Sequence, residues 1–338
     1  LKALLSRQWF LLLVLLGVLL VWLQPSWVEW TRHLEPTVCG AVAVFLSAWG
    51  LESYRLLAAL RRPWPALWAL LISYGVLPAL GWLAASQIPV EDFRIGLIVI
   101  TCVPCTLASA AIWTRLAGGD EAISLLVTVL SNSTSWLATT GWLILATNVR
   151  EISLAHAGGI MTRLLIVLVI PVAVGQMLRS VRPLAEFAVR RRRVLGIFAR
   201  LLVLGIMIKA AVEVGGRLRE EHADVTIFNL MLVVGSCVVL HLSALYLGFC
   251  TSAWIGFDRT ARIAVAISGS QKTLPVSLIL FNAYFTRFPL AVLPMVVFHV
   301  GQLVVDTFLA GRWRRSALET VPNSPAPLPH STREMNEL

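Results

Sequence analysis

The side chains in this chain best suited to holding an ion or a small solute lie in one stretch: Ala266-Ile267-Ser268-Gly269-Ser270-Gln271-Lys272-Thr273-Leu274-Pro275. A lysine ammonium, a glutamine amide and the hydroxyls of Ser268, Ser270 and Thr273 sit in the middle of an apolar run from about Ile263 to Tyr284, long enough to cross a bilayer. A charged side chain at mid-bilayer depth costs about 3 kcal/mol on insertion scales, so it is expected to face a cavity or a partner. Gly269 and Pro275 are read as helix breakers, because a proline donates no backbone hydrogen bond and loosens the turn upstream of it. A polar, interrupted membrane helix with one buried cation is a candidate binding site.

Other polar clusters join it. Ser131-Asn132-Ser133-Thr134-Ser135 interrupts another apolar run, and Thr128, Ser131 and Asn132 share one helical face by their i, i+3, i+4 spacing. Small hydroxyl residues also serve plain helix packing in membranes, the alternative for Ser133 and Ser135; the amide of Asn132 needs partners and points to the site. His299, Gln302 and Asp306 share a face at i, i+3, i+7. His299 and Gln302 are candidates for a proton or solute route, with hydrogen bonds to neighbouring helices as the alternative, and Asp306, near the inner interface, reads as structural. His241 reads as a satisfied hydrogen-bond partner, and Lys209 is expected to pair with Glu213. Cys102-Val103-Pro104-Cys105 has redox spacing, but no second Cys or His cluster completes a metal site, so packing is the expected role and no metal is expected. No spaced carboxylate pair, HExxH or Ser/His/Asp set appears in the apolar runs, which argues against an enzyme.

The elements that must position these groups follow from composition. Hydrophobic residues make up 58% of the chain and charged residues 14%, with a mean hydropathy of +0.80. Soluble domains average roughly 45–50% apolar and about 25% charged, so the chain reads as an all-α polytopic membrane protein. The net charge of +10 does not indicate nucleic acid, because the arginines fall in the segments between apolar runs. Five cysteines, all within apolar runs, give no disulfide framework. Lys2 and Arg7 precede an apolar run without a small-x-small cleavage site, so that run is read as a membrane helix rather than a leader.

A helix needs about 20 apolar residues to cross the hydrocarbon core. Ten spans result: 8–24, 37–54, 66–86, 93–116, 120–147, 157–179, 196–214, 225–250, 260–283 and 288–311. With both termini cytoplasmic, 18 basic residues fall on the inner side and 7 on the outer, a positive-inside bias consistent with an even span count. The loop 180–195, with Arg190 to Arg193, is read as a basic cytoplasmic connector that sets topology, with anionic lipid docking as the alternative. The tail 316–338 is Pro-rich and reads as disordered. The connector divides the chain into halves 1–179 and 196–315 of five spans each, and an odd number per half makes them inverted repeats. Their fourth spans correspond: span four carries Pro104 within Thr101-Cys102-Val103-Pro104-Cys105-Thr106 and Ser109 beyond it, and span nine is the stretch above.

These residues resemble the bile acid:sodium symporter superfamily, and more closely its SBF-like branch. The resemblance rests on the segment from Pro89 through Cys102-x-Pro104, Ala108-Ser109 and Gly118-Gly119-Asp120-Glu121-Ala122, and on Gly269-Ser270-Gln271-Lys272-Thr273-Leu274. It implies a panel domain (spans 1, 2, 6 and 7) and a core domain (spans 3–5 and 8–10), with spans four and nine crossing as unwound helices. It also implies that the sodium-binding hydroxyls and amides of the family fall on Ser109, Thr128, Ser131, Asn132 and Gln271. Two departures stand out. Ala110 replaces an asparagine, and Ile267 occupies the place of a sodium-binding glutamate, while a cation, Lys272, follows Gln271.

Three roles are open to Lys272: a surrogate for a missing sodium held by Ser109, Ser131 or Asn132 and the half-helix C-termini, a group that exchanges a proton during transport, or a direct solute contact. The expected function is a secondary transporter of a small anionic organic solute across the cytoplasmic membrane. The half-helix N-termini near Thr106 and Thr273 and the charge of Lys272 favour an anion. Coupling to two sodium ions is not expected; Na+ or H+ is the candidate coupling ion, with no other cofactor. A sodium-coupled symporter and a non-transporting membrane regulator are the alternatives. The oligomeric state is open.

Overall fold

A computed structural model describes residues 12–13, 16–17, 19–21, 23–106, 109–147, 154–220 and 226–319, without the side chains of 25, 55–56, 154–156, 213–220 and 316–319. Every regular element among the described residues is helical. After a 3-10 helix, Pro25–His33, the chain forms α1 (Pro36–Trp49), α2 (Ser53–Leu60), α3 (Trp64–Ala85), α4 (Glu91–Cys102), α5 (Ser109–Leu116) and α6 (Glu121–Thr147). It continues through α7 (Ala157–Leu178), α8 (Arg182–Glu220), α9 (Ile227–Trp254), α10 (Arg259–Ser270), α11 (Leu274–Tyr284) and α12 (Val292–Glu319). Among the described residues, seven helical segments are long and apolar enough to cross a membrane: α3, α6, α7, α8, α9, the α10–α11 pair and α12. The apolar helix α1 is shorter.

The sequence sets these boundaries through its caps. The carboxylate of Asp258 accepts from Ala261 N at 2.9 Å to start α10, and the Thr226 hydroxyl accepts from Asn229 N to start α9. Glu91 and Asp92 lie in the first turn of α4, where negative charge meets the positive end of the helix dipole. Proline occupies the first turn of α1, α3 and α11, where its missing N–H costs nothing. Deeper in a helix it has another effect. In α3 and α7 a π turn, Ile72–Val76 and Leu165–Val169, lies just before Pro78 and Pro171. The ladder skips a residue there, and one carbonyl is left over.

Four expected boundaries are corrected. Residues 182–195 are not a loop but the opening turns of the 39-residue α8. Pro183 suits a first turn, and from Leu184 to Leu195 no glycine or proline interrupts a run rich in Ala, Leu and Arg, all strong helix formers. The second apolar run ends at Trp49, with Gly50 as its cap, and Ser53 begins a separate helix instead of prolonging the first to residue 54. The last helix continues through Glu319, past the expected tail boundary at 316. Gly269 does not break its helix, which runs on to Ser270. The absence of a side chain serves close packing there: a Cβ at Gly269 would lie 3.1 Å from Ile72 Cβ and 3.3 Å from the Ala69 carbonyl oxygen. Residues 320–338, and Lys2 and Arg7, lie outside the described residues, and the span expected at 8–24 is described only in part.

Helix α1 packs against α7 and α8, while α3, α4, α6, α9, α10 and α12 pack among themselves. An 18-residue stretch of the α10–α11 segment is buried throughout, unlike the corresponding stretches of the other six membrane-length segments. Complete burial of a segment that contains a lysine and a glutamine demands polar partners for both.

Candidate functional site

Helix α4 stops at Cys102 and the chain is helical again at Ser109, so Pro104 lies in an interruption; α10 stops at Ser270 and α11 starts at Leu274. An unwound backbone at membrane depth must find a donor for each carbonyl. Five successive carbonyls of the first interruption do. Cys102 O accepts from Thr139 Oγ1 at 2.9 Å, Val103 O from Lys272 Nζ at 2.8 Å, and Pro104 O from Thr273 N at 3.1 Å. Cys105 O accepts from Asn132 Nδ2 at 3.1 Å, and Thr106 O from Thr128 Oγ1 at 3.2 Å. Helix α6 supplies three of these donors, because Thr128, Asn132 and Thr139 recur along one of its faces at helical spacing.

Lys272 is fully buried, and its ammonium makes three hydrogen bonds, equal to the number of protons it carries. They run to Val103 O at 2.8 Å, Ser73 O at 2.7 Å and Ser73 Oγ at 3.0 Å, with the Tyr74 ring centroid 5.2 Å away. The Ser73 carbonyl is available because of the π turn. Leu77 N donates to Ile72 O, and Pro78, the next donor position for Ser73, has no N–H. The lysine thus satisfies the carbonyl that the proline orphaned. Val103 caps α4, so its carbonyl carries the negative end of that helix dipole. The expected half-helix C-terminus is present in the lysine's shell, but the expected hydroxyl and amide ligands Ser109, Ser131 and Asn132 are not among its hydrogen-bond partners. Each is turned to other groups by nearer carbonyls and amides.

The backbone of Lys272 is held separately. The Gln302 side chain accepts from Lys272 N at 2.8 Å and donates to Lys272 O at 2.8 Å, a two-point clasp that fixes its amide orientation. Gln302 Nε2 also lies 2.9 Å from His299 Nδ1, which in turn lies 3.3 Å from the same Lys272 carbonyl oxygen. His299 and Gln302 therefore brace the second interruption. Pro275 sits in the first turn of α11, where it blocks continuation of the helix backwards into Thr273.

Gln271 connects the two interruptions to α12. Its Oε1 accepts from Thr106 Oγ1 at 2.5 Å and Ser109 Oγ at 2.9 Å, and its Nε2 donates to Asp306 Oδ2 at 2.5 Å. The carboxylate fixes this amide orientation, since the reverse would set two oxygens against each other. Asp306 Oδ1 lies 3.0 Å from His241 Nε2, and His241 Nδ1 lies 3.3 Å from Ser270 O. Asp306 and His241 are both about 1% exposed. Sequence reasoning placed Asp306 near the inner interface; its direct contact with Gln271 was missed, although the i, i+3, i+7 pattern with His299 and Gln302 carried the signal. Ser73, Thr106 and Thr139 were missed too. A lone hydroxyl in an apolar run carries no signal until its partner is known.

The structure does not bring every candidate to the crossing. Ser268 Oγ donates to Ser124 Oγ at 2.7 Å and so faces α6, while Ser270 Oγ turns back to Ile267 O. Ser131 Oγ donates to Thr128 O of its own helix, and its carbonyl accepts from Tyr74 Oη. Lys209 Nζ donates to the carbonyls of Arg32 and Leu34; the side chain of its expected partner Glu213 lies outside the described residues. Among the described residues, one buried atom at the site has no partner: Asn132 Oδ1. With Nδ2 committed to the Cys105 and Thr128 carbonyls, that oxygen is left as an acceptor for a cation or a donor group.

Close to α5 lies a cavity of about 570 Å³, lined by Leu46, Ser47, Gly50 and Leu51 on one side and Ala111, Ile112 and Arg115 on another, with Glu121 and Leu125 of α6. Helix α8 closes it with Arg190, Arg192, Arg193 and Arg200 on one face. Arg192 bridges Glu52 at 3.1 Å and Glu121 at 3.3 Å, and Arg115 reaches the same Glu121 oxygen at 3.4 Å.

Residues 8–315 match the model of the SBF-like CPA transporter family. Among similar proteins is the Arabidopsis thaliana "Probable sodium/metabolite cotransporter BASS4, chloroplastic", 28% identical over 254 residues, which cover 69% of this chain and 55% of that protein. The chain thus spans little more than half of that relative. The Arabidopsis thaliana protein "Probable sodium/metabolite cotransporter BASS1, chloroplastic" is 25% identical over 90% of this chain and 73% of its own length. "Sodium/bile acid cotransporter 7-B" of Xenopus laevis is 23% identical over 96% of this chain and 98% of its own.

Proposed function

The chain belongs to the SBF-like CPA transporter family, and from that premise we propose that it carries a small anionic organic solute across the cytoplasmic membrane by alternating access, without coupling to two sodium ions. The observation that carries this reading is the position of the Lys272 ammonium. It sits at the crossing of the two interrupted helices with its protons on carbonyls of α3 and α4. That is a cation's coordination supplied by the chain itself. A fixed positive charge there takes the place of a bound ion, or couples to protons if the ammonium deprotonates in one state. It also biases the site towards anions.

In this reading ten spans in two inverted halves form a panel of spans 1, 2, 6 and 7 and a core of spans 3–5 and 8–10, and both termini are cytoplasmic. Core movement against panel exposes the crossing alternately to the two sides. The packing of α1 with α7 and α8 supports such a division, and the contacts of α7 with α6 and of α8 with α11 and α12 join its two parts.

A second reading, a sodium-coupled symporter, is favoured by one observation: the buried, unpartnered Asn132 Oδ1, which has the chemistry of a sodium ligand. The names of the relatives point the same way. Thermal unfolding of the purified protein in sodium chloride against choline chloride, at pH 6 to 9, for wild type and Lys272→Gln, separates the readings. A ligand at a hundred times its dissociation constant stabilises the folded state by about 2.7 kcal/mol. Stabilisation of the wild type by sodium establishes the second reading. Stabilisation of Lys272→Gln alone supports the surrogate, and a pH dependence that vanishes with Lys272 supports proton coupling. A protein that moves no organic anion in vesicles under any gradient is instead a regulator that retains the fold.

A further inference from the structure

We propose that the cavity between α8 and α5 is a binding site for an organic dianion, a dicarboxylate or phosphate monoester with an apolar body, and that Glu121 holds the place of one of its charged groups. The inference rests on the transporter reading above and narrows its solute class.

Five arginines and one glutamate line the cavity, a formal charge of +4 that Glu52, bound to Arg192 from outside the lining, reduces by one. A single carboxylate offers acceptors to one or two of these guanidinium forks, whereas two charged groups offer them to several. The arginines do not all come from one element. Arg190, Arg193 and Arg200 recur at helical spacing along α8, and Arg115 faces them from the last turn of α5. Helix α5 begins at Ser109, which bonds Gln271, so this helix links the cavity to the crossing. Apart from Ser47 the remaining wall is apolar, with Leu46, Leu51, Ala111, Ile112 and Leu125. The volume of about 570 Å³ falls within the roughly 300–1,000 Å³ usual for small-molecule sites.

Glu121 carries the second half of the argument. One of its oxygens accepts from both Arg115 and Arg192, an arginine pair that a ligand carboxylate or phosphate would engage in the same way. The Arg192–Glu121 contact also joins α8 to the first turn of α6. A dianion that takes over Arg115 and Arg192 releases that contact, so solute binding and separation of the two helices are one event.

The test uses the full chain in phosphatidylcholine nanodiscs, titrated with succinate, inorganic phosphate and hexyl phosphate, and with acetate at equal ionic strength. Hexyl phosphate and succinate are expected to bind at least tenfold tighter than acetate. The double variant Arg190→Gln/Arg193→Gln, changed at two exposed side chains, should lose that preference while its unliganded melting temperature stays that of the wild type. Glu121→Gln, with the resident carboxylate gone, should bind hexyl phosphate more tightly. Equal binding of acetate and succinate, dianion binding indifferent to Arg190 and Arg193, or weaker binding by Glu121→Gln would each overturn the proposal. Nanodiscs containing phosphatidic acid should leave hexyl phosphate affinity unchanged; loss of binding there would assign these arginines to a lipid head group and overturn the solute. Binding needs no turnover. Failure of the transporter reading appears as absent flux with arginine-dependent binding intact, and failure of this inference as anion flux without such binding.

Discussion

The backbone N–H of Thr273 donates to the carbonyl of Pro104 at 3.1 Å, so the two interrupted helices are bonded to each other at their breaks. One residue earlier in each, the Lys272 side chain bonds the Val103 carbonyl. Residues 272–273 thus cap residues 103–104, and each interruption completes hydrogen bonds that the other has lost. Neither break is satisfied alone, which makes the crossing a cooperative unit.

Lys272→Met tests that unit. The substitution keeps the volume and removes the burial of a charge, yet it orphans the carbonyls of Ser73 and Val103, each worth about 1–3 kcal/mol when left unsatisfied. A net loss of about 2 kcal/mol is expected in equilibrium unfolding. Ser73→Ala removes only the hydroxyl acceptor and should cost about 1 kcal/mol or less. A Met variant as stable as wild type would mean that the ammonium does not hold the crossing together.

Much of this site was readable in the chain. A lysine, a glutamine and a proline within an apolar run identify a break, and Pro104 with its polar neighbours identifies another, because membrane burial makes each such residue expensive. The partners were not readable. Ser73 matters only because Pro78 shifts the ladder of α3 to a π turn, and Asp306 only because α12 brings it to Gln271. The clasp on Lys272 by Gln302 likewise depends on tertiary placement, although its spacing from His299 was visible. The start of α8 is not legible from hydropathy, because its arginines set it outside the apolar runs, whereas their backbone preference is helical.

Gly269 gives a prediction about packing. Its missing side chain lets α10 approach the π turn of α3, and an added Cβ would meet Ile72 Cβ at 3.1 Å and the Ala69 carbonyl at 3.3 Å. Backbone cannot yield as a flexible side chain can, so Gly269→Ala should destabilise by about 1–3 kcal/mol despite its better helix propensity. Gly141, whose Cβ would meet nothing within 4 Å, is the control: Gly141→Ala should be neutral or stabilising by up to about 1 kcal/mol. Equal effects at both positions would refute the close-approach explanation.

Outside the membrane segments, Asp258 predicts a pH effect. The Thr260 hydroxyl, then the Ala261 N–H, hold its carboxyl below the usual aspartate range. A depressed folded-state value contributes stability above the unfolded value of about 4 and loses it as pH falls through the folded value. Asp258→Ala should therefore cost about 1 kcal/mol at pH 7, as for a lost N-cap. The gap between variant and wild-type melting temperatures should shrink below about pH 4. A gap that stays constant from pH 7 to pH 3 would show that the carboxylate's charge plays no part in the cap.

The chain Gln271–Asp306–His241 predicts non-additivity. Asp306 Oδ2 takes the Gln271 amide and Oδ1 faces His241 Nε2, so removing the carboxylate charge affects both neighbours. Asp306→Asn leaves one oxygen to serve two partners and releases the constraint on the Gln271 amide orientation. His241→Asn breaks only one of those contacts and withdraws a partner from Ser270 O. Groups in one buried network couple by about 0.5–3 kcal/mol, so the double variant should lose less stability than the sum of the single ones by an amount in that range. Strict additivity would mean that His241 and Asp306 pack side by side without sharing a proton.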